Sequence, residues 1–186
     1  IGYSNGQKQG HAATGPAEGI ICHNYRGLEF NAAILTDALK HLRAQTALRD
    51  SNAKYFTRLI RGVPGITVQA RGRKADVQGY YSFVLLLQPS MLKPGVTIKE
   101  VHAALNAEGI DCWIGGYGPV YKHMLWNVPR KDYRIHSNEV VEDTSFNRLI
   151  YLSHVWLLTN KPLMKAMAHG VRKVMTAYGK GTGEGR

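Results

Sequence analysis

The sequence predicts an α+β fold in which a long helix leads into a small domain of mixed strands and helices. Three observations carry this reading. A helical period runs without Gly or Pro from about Glu29 to Arg61. Short strand-like and helix-like segments then alternate over residues 63–178, the texture of an α+β or split βαβ unit. No window of 18 apolar residues exists, and the densest apolar stretch, Phe83 to Leu87, is only strand-sized, so no spanning helix is expected.

Residues 1 to about 22 read as a loop, punctuated by Gly2, Gly6, Gly10, Gly15, Pro16 and Gly19 and lacking any hydrophobic period. The helix that follows would be about 45–50 Å long at 1.5 Å per residue, longer than a small domain needs. Ile34, Leu35, Ala38, Leu42, Phe56, Leu59 and Ile60 fall on one broad side of it. Lys40, Arg43, Lys54, Arg58 and Arg61 fall on the opposite side, interrupted by Asp37 and Asp50. Gly62, Pro64 and Gly65 end the helix.

Ile66–Gln69 is then a candidate strand, Arg71-Gly72-Arg73-Lys74 a basic loop, and Tyr80–Leu87 the strongest predicted strand, being rich in aromatic and branched residues. Thr97 and Glu100 stand at the spacing of a capping box, opening a helix to Glu108 that buries Val101, Ala104 and Leu105 and stops at Gly109. Ile110–Ile114 is a short strand, and residues 115–134 are irregular. Glu142–Leu149 is a short helix and Ile150–His154 a strand. Asn160 caps a last helix to about Tyr178, stopped by Gly179, with a frayed tail to Arg186.

Composition narrows the function classes. The 186 residues suffice to bury a core, and 44% apolar with 20% charged residues is a globular balance. Cys22 and Cys112 lie far apart with no CxxC pattern and no Cys/His cluster, which argues against a disulfide scaffold or a zinc site and suits reduced thiols in a cytoplasmic protein. The first 22 residues lack the apolar centre of a signal peptide. The 24 basic against 13 acidic residues, a net charge of +11, would suit nucleic acid, a phosphate-bearing ligand or an unspecific basic surface. No zinc finger, aromatic RNA-binding signature or basic zipper accompanies the basic helix face, so a solvated outer face is the expected explanation and nucleic acid is disfavoured.

Catalytic motifs are sparse. No GxSxG, HExxH, Walker loop or strand-borne GxGxxG is present. Gly115-Gly116-Tyr117-Gly118 has no following helix start, so it reads as a flexible loop rather than a phosphate cradle. His41 reads as solvated and His102 as surface or half-buried. The informative stretch is Cys22-His23-Asn24-Tyr25-Arg26-Gly27-Leu28-Glu29, where a neutral donor and a planar guanidinium stand at the mouth of a helix. That arrangement serves equally as an anion platform or as a helix cap with Arg26 pairing Glu29.

These residues resemble a known family. His23-Asn24-Tyr25-Arg26-Gly27-Leu28-Glu29-Phe30-Asn31-Ala32-Ala33 is similar to the Asn-Tyr-Arg segment that opens the long helix of DegT/StrS-type aminotransferases. Tyr80-Tyr81-Ser82-Phe83, Glu108-Gly109-Ile110-Asp111-Cys112, Tyr117-Gly118-Pro119-Val120-Tyr121 and Ser153-His154-Val155-Trp156 follow in the order of that family's later motifs. Gly27 stands where the family usually has Met, and Asn31 where it has Gln. Within the family, the Tyr-Gly-Pro variant looks closest to scyllo-inosose aminotransferases and aminohydroxybenzoate synthases.

The resemblance implies a fold-type-I, pyridoxal phosphate-dependent enzyme that aminates keto-sugars or related cyclic ketones. It implies that this chain is the C-terminal portion. Residues 1–28 would be a loop remnant of the large cofactor-binding domain, 29–62 the interdomain helix, 63–178 a small antiparallel-sheet domain with helices on one face, and 179–186 a flexible tail. The lysine that forms the Schiff base lies upstream in the family. Lys8 follows Ser4 but lacks the subsequent Gly-Glu-Gly-Gly and reads as a loop residue, so no catalytic residue is assigned in this chain. Asn24 would reach the cofactor phosphate of the neighbouring subunit in a homodimer, with Arg26 orienting that loop or touching substrate. Tyr117 and Tyr121 would line the substrate mouth, an amino acid would donate the amine, and neither metal nor membrane is expected. The alternative is a complete basic module of the same fold that binds an anionic partner such as a nucleotide or nucleic acid.

Overall fold

The computed structural model describes residues 28–116, 118–123, 126–137 and 139–181. Helix α1 spans Glu29–Leu59, followed by strands β1 (Ile66–Val68) and β2 (Ser82–Leu87), helix α2 (Ile98–Ala107), strand β3 (Cys112–Trp113), helix α3 (Glu139–Asp143), strand β4 (Leu149–Ser153) and helix α4 (Lys161–Tyr178). The strands form one antiparallel sheet in the order β1-β2-β4-β3. This is the α+β arrangement expected, and it contains a split βαβ unit: β2 and β3, joined through α2, both run antiparallel to β4, which lies between them.

The sheet shows why its strands read as they do. Phe83, Leu85 and Leu87 on β2 and Ile150 and Leu152 on β4 are buried, while the residues between them are half-buried. Period-2 alternation therefore turns one face of the sheet to the core. Phe83 pairs with Leu152, and Leu85 with Ile150, across the central ladder. The helices supply the other layer: Phe56 from α1, Val101 and Leu105 from α2, and Met164, Val171 and Met175 from α4 are each at most 1% exposed. Each such side chain contributes about 1.5–3 kcal/mol by leaving water.

Local signals set the helix ends. Thr97 accepts a hydrogen bond from the Glu100 N–H while the Glu100 carboxylate accepts one from the Thr97 N–H, at 2.7 Å, completing the capping box. Those bonds hold the Glu100 carboxyl below its ordinary pKa. The chain leaves α2 through Gly109 at φ +79°. Asn160 caps α4 by accepting from the Leu163 N–H at 3.0 Å. Gly179 follows α4 at φ −73°, and the position calls for glycine because a Cβ there would lie 2.7 Å from the Met175 carbonyl oxygen.

Several boundaries differ from the sequence reading. Strand β2 starts at Ser82 rather than Tyr80, because Tyr80 takes φ +52°, a left-handed conformation that a strand cannot contain. The short helix starts at Glu139, and its C-terminal turn over Thr144–Arg148 widens into a π-turn that feeds directly into β4. Helix α1 stops at Leu59 rather than Arg61. Its final carbonyl is taken by Arg172, whose Nε donates to Leu59 O at 2.9 Å.

The largest difference concerns the apolar side of α1. Only its C-terminal half packs: Asn52, Ala53 and Phe56 are buried, whereas Phe30, Ile34, Leu35, Leu39 and Leu42 are all more than half exposed. The buried Asn52 is the anchor. Its amide donates to the carbonyls of Leu157 (2.9 Å) and Thr159 (2.8 Å) and accepts from Lys161 at 2.7 Å, so one side chain ties α1 to the approach to α4.

Candidate functional site

The chain beyond β3 builds a compact polar and aromatic site. Trp113 stacks on Tyr151 of β4, with ring centroids 5.7 Å apart at 12°. The glycine-rich segment then crosses this aromatic surface. A Cβ on Gly116 would stand 2.9 Å from the Tyr151 ring, and one on Gly118 would stand 3.4 Å from Phe146. Gly116 and Gly118 therefore stand where backbone lies directly on rings, while Gly115 takes a positive φ of +67° with open space around it.

Pro119 starts a 3-10 turn over Val120–Lys122, closed by Lys122 N–H donating to Pro119 O at 2.9 Å. This turn presents Tyr121 and Lys122 side by side. The Tyr121 hydroxyl donates to Glu142 Oε1 at 3.1 Å, and Lys122 forms an ion pair with the same carboxylate. Lys122 also lies 5.7 Å from the Phe146 ring centroid. Burial pushes the Tyr121 phenol pKa up, and its bond to the negatively charged Glu142 pushes it further in that direction. Tyr121 thus stays a protonated donor at neutral pH. Chemically the group can orient hydroxyl or carbonyl oxygens of a small ligand, with Tyr121 and Lys122 both engaged by the Glu142 carboxylate.

Of the residues singled out from sequence, only Tyr121 falls in this cluster. Asn24, Arg26 and Tyr117 lie outside the described residues, as do Lys8 and Cys22. Glu142 and Lys122 had no sequence signal: they are twenty positions apart and meet only because α3 folds back over the turn. His41 is exposed, as expected. His102 is half-buried with Nε2 3.0 Å from Cys112 O. Burial pushes the Cys112 thiol up to about 12, so it is a core side chain and not a nucleophile.

A second polar cluster lies at the opposite edge of the sheet. Asp50 of α1 is 4% exposed and forms ion pairs with Lys54 (2.7 Å) and with Arg71, besides accepting from the Gln78 N–H at 3.2 Å. Burial alone would raise the Asp50 pKa. The hydrogen bonds from Arg71 and Lys54 outweigh it and hold the carboxyl below its ordinary value. Arg71 also donates to Asp76 O at 2.6 Å, so it organises its own loop. Asp50, which in sequence only interrupts a basic face, is the centre of this network.

Pyridoxal phosphate, the cofactor implied by the resemblance, needs a lysine amine kept neutral by a dry site and placed beside an aromatic face and a carboxylate. Every lysine among the described residues is exposed. The described residues therefore do not fit the whole cofactor, and no chemical step through it is derived from them. No group of His, Cys, Asp and Glu among the described residues could hold a metal ion, and no described helix is long and apolar enough to cross a membrane.

The L-glutamine:2-deoxy-scyllo-inosose aminotransferase of Streptomyces lividus is 28% identical over 172 residues, which cover 84% of this chain and 40% of the relative. The structure of 3-amino-5-hydroxybenzoic acid synthase superposes with a TM-score of 0.66 at 22% identity, covering 83% of this chain and 40% of that one. That of the Escherichia coli GDP-4-keto-6-deoxy-D-mannose-3-dehydratase with bound hydrated pyridoxal phosphate gives 0.61 at 24% identity, covering 82% and 36%. At those identities the two structures speak to fold alone. The chain spans about two-fifths of the length of the curated relative. The profile of the DegT/DnrJ/EryC1/StrS aminotransferase family matches residues 2–169, nearly the whole chain, and the chain belongs to that family.

Proposed function

We propose that this chain is the C-terminal portion of a pyridoxal phosphate-dependent aminotransferase that aminates a keto-sugar, a cyclitol ketone or a related cyclic ketone, and that it is inactive alone. The observation that carries the reading is the match over 172 residues to a relative named for amino transfer from L-glutamine to 2-deoxy-scyllo-inosose. Residues 1–28 belong to the loop that meets the large domain, α1 is the interdomain connection, and residues 63–178 form the small domain. The half-exposed polar cluster of Tyr121, Lys122 and Glu142 supports a substrate-side role for Tyr121, because it offers donors and an acceptor suited to a hydroxyl-bearing ring. Asn24 contributes a neutral donor to the cofactor phosphate of a neighbouring subunit in a homodimer, with Arg26 and Tyr117 completing the loop and the substrate mouth. The cofactor itself supplies the electron sink for amino transfer and is held mainly by the large domain.

A hybrid tests these roles: this chain replacing the matching segment of the Streptomyces lividus enzyme. Asn24→Ala in the hybrid is expected to weaken pyridoxal phosphate binding about tenfold, the loss of one charge-assisted hydrogen bond. Tyr121→Phe is expected to raise KM for the ketone and leave cofactor affinity unchanged. A folded, dimeric hybrid whose cofactor affinity ignores Asn24→Ala would sink the assignment of Asn24.

The exposed stripe of α1 makes a separate prediction. Ile34, Leu35, Leu39 and Leu42 form an apolar face too large to leave in water, and the proposal covers it with the rest of the enzyme. The 186-residue chain should therefore self-associate, and Leu35→Glu with Leu39→Glu should shift it toward monomer in sedimentation velocity. A concentration-independent monomer with a sharp unfolding transition would instead favour the self-contained basic module.

A further inference from the structure

The sequence groups Lys40, Arg43, Lys54, Arg58 and Arg61 on one helix face, and the structure splits that face in two. Lys40 lies out in solvent, paired with Asp37 at 3.0 Å. Lys54, Arg58 and Arg61 instead line an open cleft of about 770 Å³ between the C-terminal turns of α1, the end of edge strand β1 and the segment 69–80. From this cleft we infer a binding site for a small ligand that carries a phosphate group on an apolar body. The inference is independent of the proposed aminotransferase role. The cleft flanks β1, whereas Tyr121 lies beyond β3 at the other edge, three strand spacings or about 14 Å across the sheet.

The charge inventory leaves an anion-shaped deficit. Asp50 is already occupied by Arg71, Lys54 and the Gln78 N–H. Arg58 and Arg61 line the same cleft, and neither has an ion-pair partner among the described residues; Arg58 only lies over the Tyr55 ring, at 5.8 Å. Like charges on neighbouring turns repel, so an anion held between the two guanidinium groups would be favoured. The helix C-terminus would itself disfavour an anion, but Arg172 occupies the carbonyl of Leu59 and blunts that field. Asp76 is the one opposing carboxylate not engaged by an ion pair, and it is exposed.

The remaining lining suits the rest of such a ligand. Ser51 and Thr57 add hydroxyls on the same helix face, and Val68, Ala70 and Val77 add apolar wall. Tyr80, held at φ +52°, closes one side with its ring tilted against Phe83 at 6.0 Å. A left-handed Tyr is a strained placement, retained where surrounding structure over-determines it and frequent at ligand sites. The volume lies within the range of small-molecule sites.

The test is calorimetric titration of the full 186-residue chain with inorganic phosphate and with phenyl phosphate at fixed ionic strength. Saturable binding is expected for both, tighter for phenyl phosphate. Arg58→Gln with Arg61→Gln should weaken it by about tenfold or more, while Lys99→Gln with Lys165→Gln, exposed lysines on α2 and α4, should not. Matching thermal unfolding of the two double variants would show that both are folded. Absence of saturable binding, or equal weakening in both double variants, would overturn the site. Equal affinity for the two probes would overturn its apolar part. None of these readouts depends on amino transfer, so the site and the enzymatic reading fail separately.

Discussion

Phe56→Ala is expected to lower unfolding stability by about 3–5 kcal/mol, the cost of emptying a large, fully enclosed core position. Phe56 is 0% exposed and meets the Phe83 ring edge-on, with centroids 5.5 Å apart. It is the only described aromatic residue of α1 that is buried; Phe30 is 81% exposed and Tyr55 only half-buried. Its loss therefore removes the main apolar contact that seats α1 on the sheet. Urea unfolding should show the midpoint falling with little change in slope, and Phe30→Ala should leave the midpoint nearly unmoved. Equal effects at the two positions would contradict the observed division of α1 into a packed and an open half.

Asp50→Ala is expected to cost about 2–3 kcal/mol. Breaking one partner of a fully buried pair costs about 3–5 kcal/mol, and the discount reflects side-chain exposures of 27% for Arg71 and 53% for Lys54. Removing Asp50 leaves Arg71 without its carboxylate and the Gln78 N–H without its acceptor. Adding Arg71→Met should recover part of the loss, since replacing a whole ion pair by apolar groups is cheaper than orphaning one member. The pH dependence has a fixed sign. Because the folded-state pKa of Asp50 is depressed, its contribution is fully present above the carboxylate's unfolded value near 3.8 and disappears as pH falls through the folded value. Wild-type chain should thus lose more stability below about pH 4 than Asp50→Ala does.

The contrast between Phe56 and Asp50 also shows what a sequence can convey. Local chemistry was legible: the Thr97–Glu100 capping box, the Asn160 cap, the alternation of β2 and the stop at Gly109 all depend on neighbours within a few residues. Tyr80 misled because strand composition says nothing of a single left-handed φ. The apolar side of α1 reads as one stripe, since periodicity marks which residues could be buried and not which half finds a partner. At the candidate site, Tyr121 was accessible through the ordered motifs around it. Glu142 and Lys122 were not, because their pairing is made by α3 folding back across the turn. Asp50 looked like a blemish on a basic face; only Arg71 arriving from the loop after β1 turns it into an anchor.

We propose that this chain contributes the connecting helix and small domain to an aminotransferase whose Schiff-base lysine lies elsewhere. The most direct measurement is borohydride reduction of the 186-residue chain after incubation with pyridoxal phosphate, followed by peptide mapping. Only scattered, substoichiometric labelling of exposed lysines is expected, as free amines in solution give. Stoichiometric labelling of one lysine, Lys8 above all, with an aldimine absorbance band that Lys8→Ala abolishes, would contradict it.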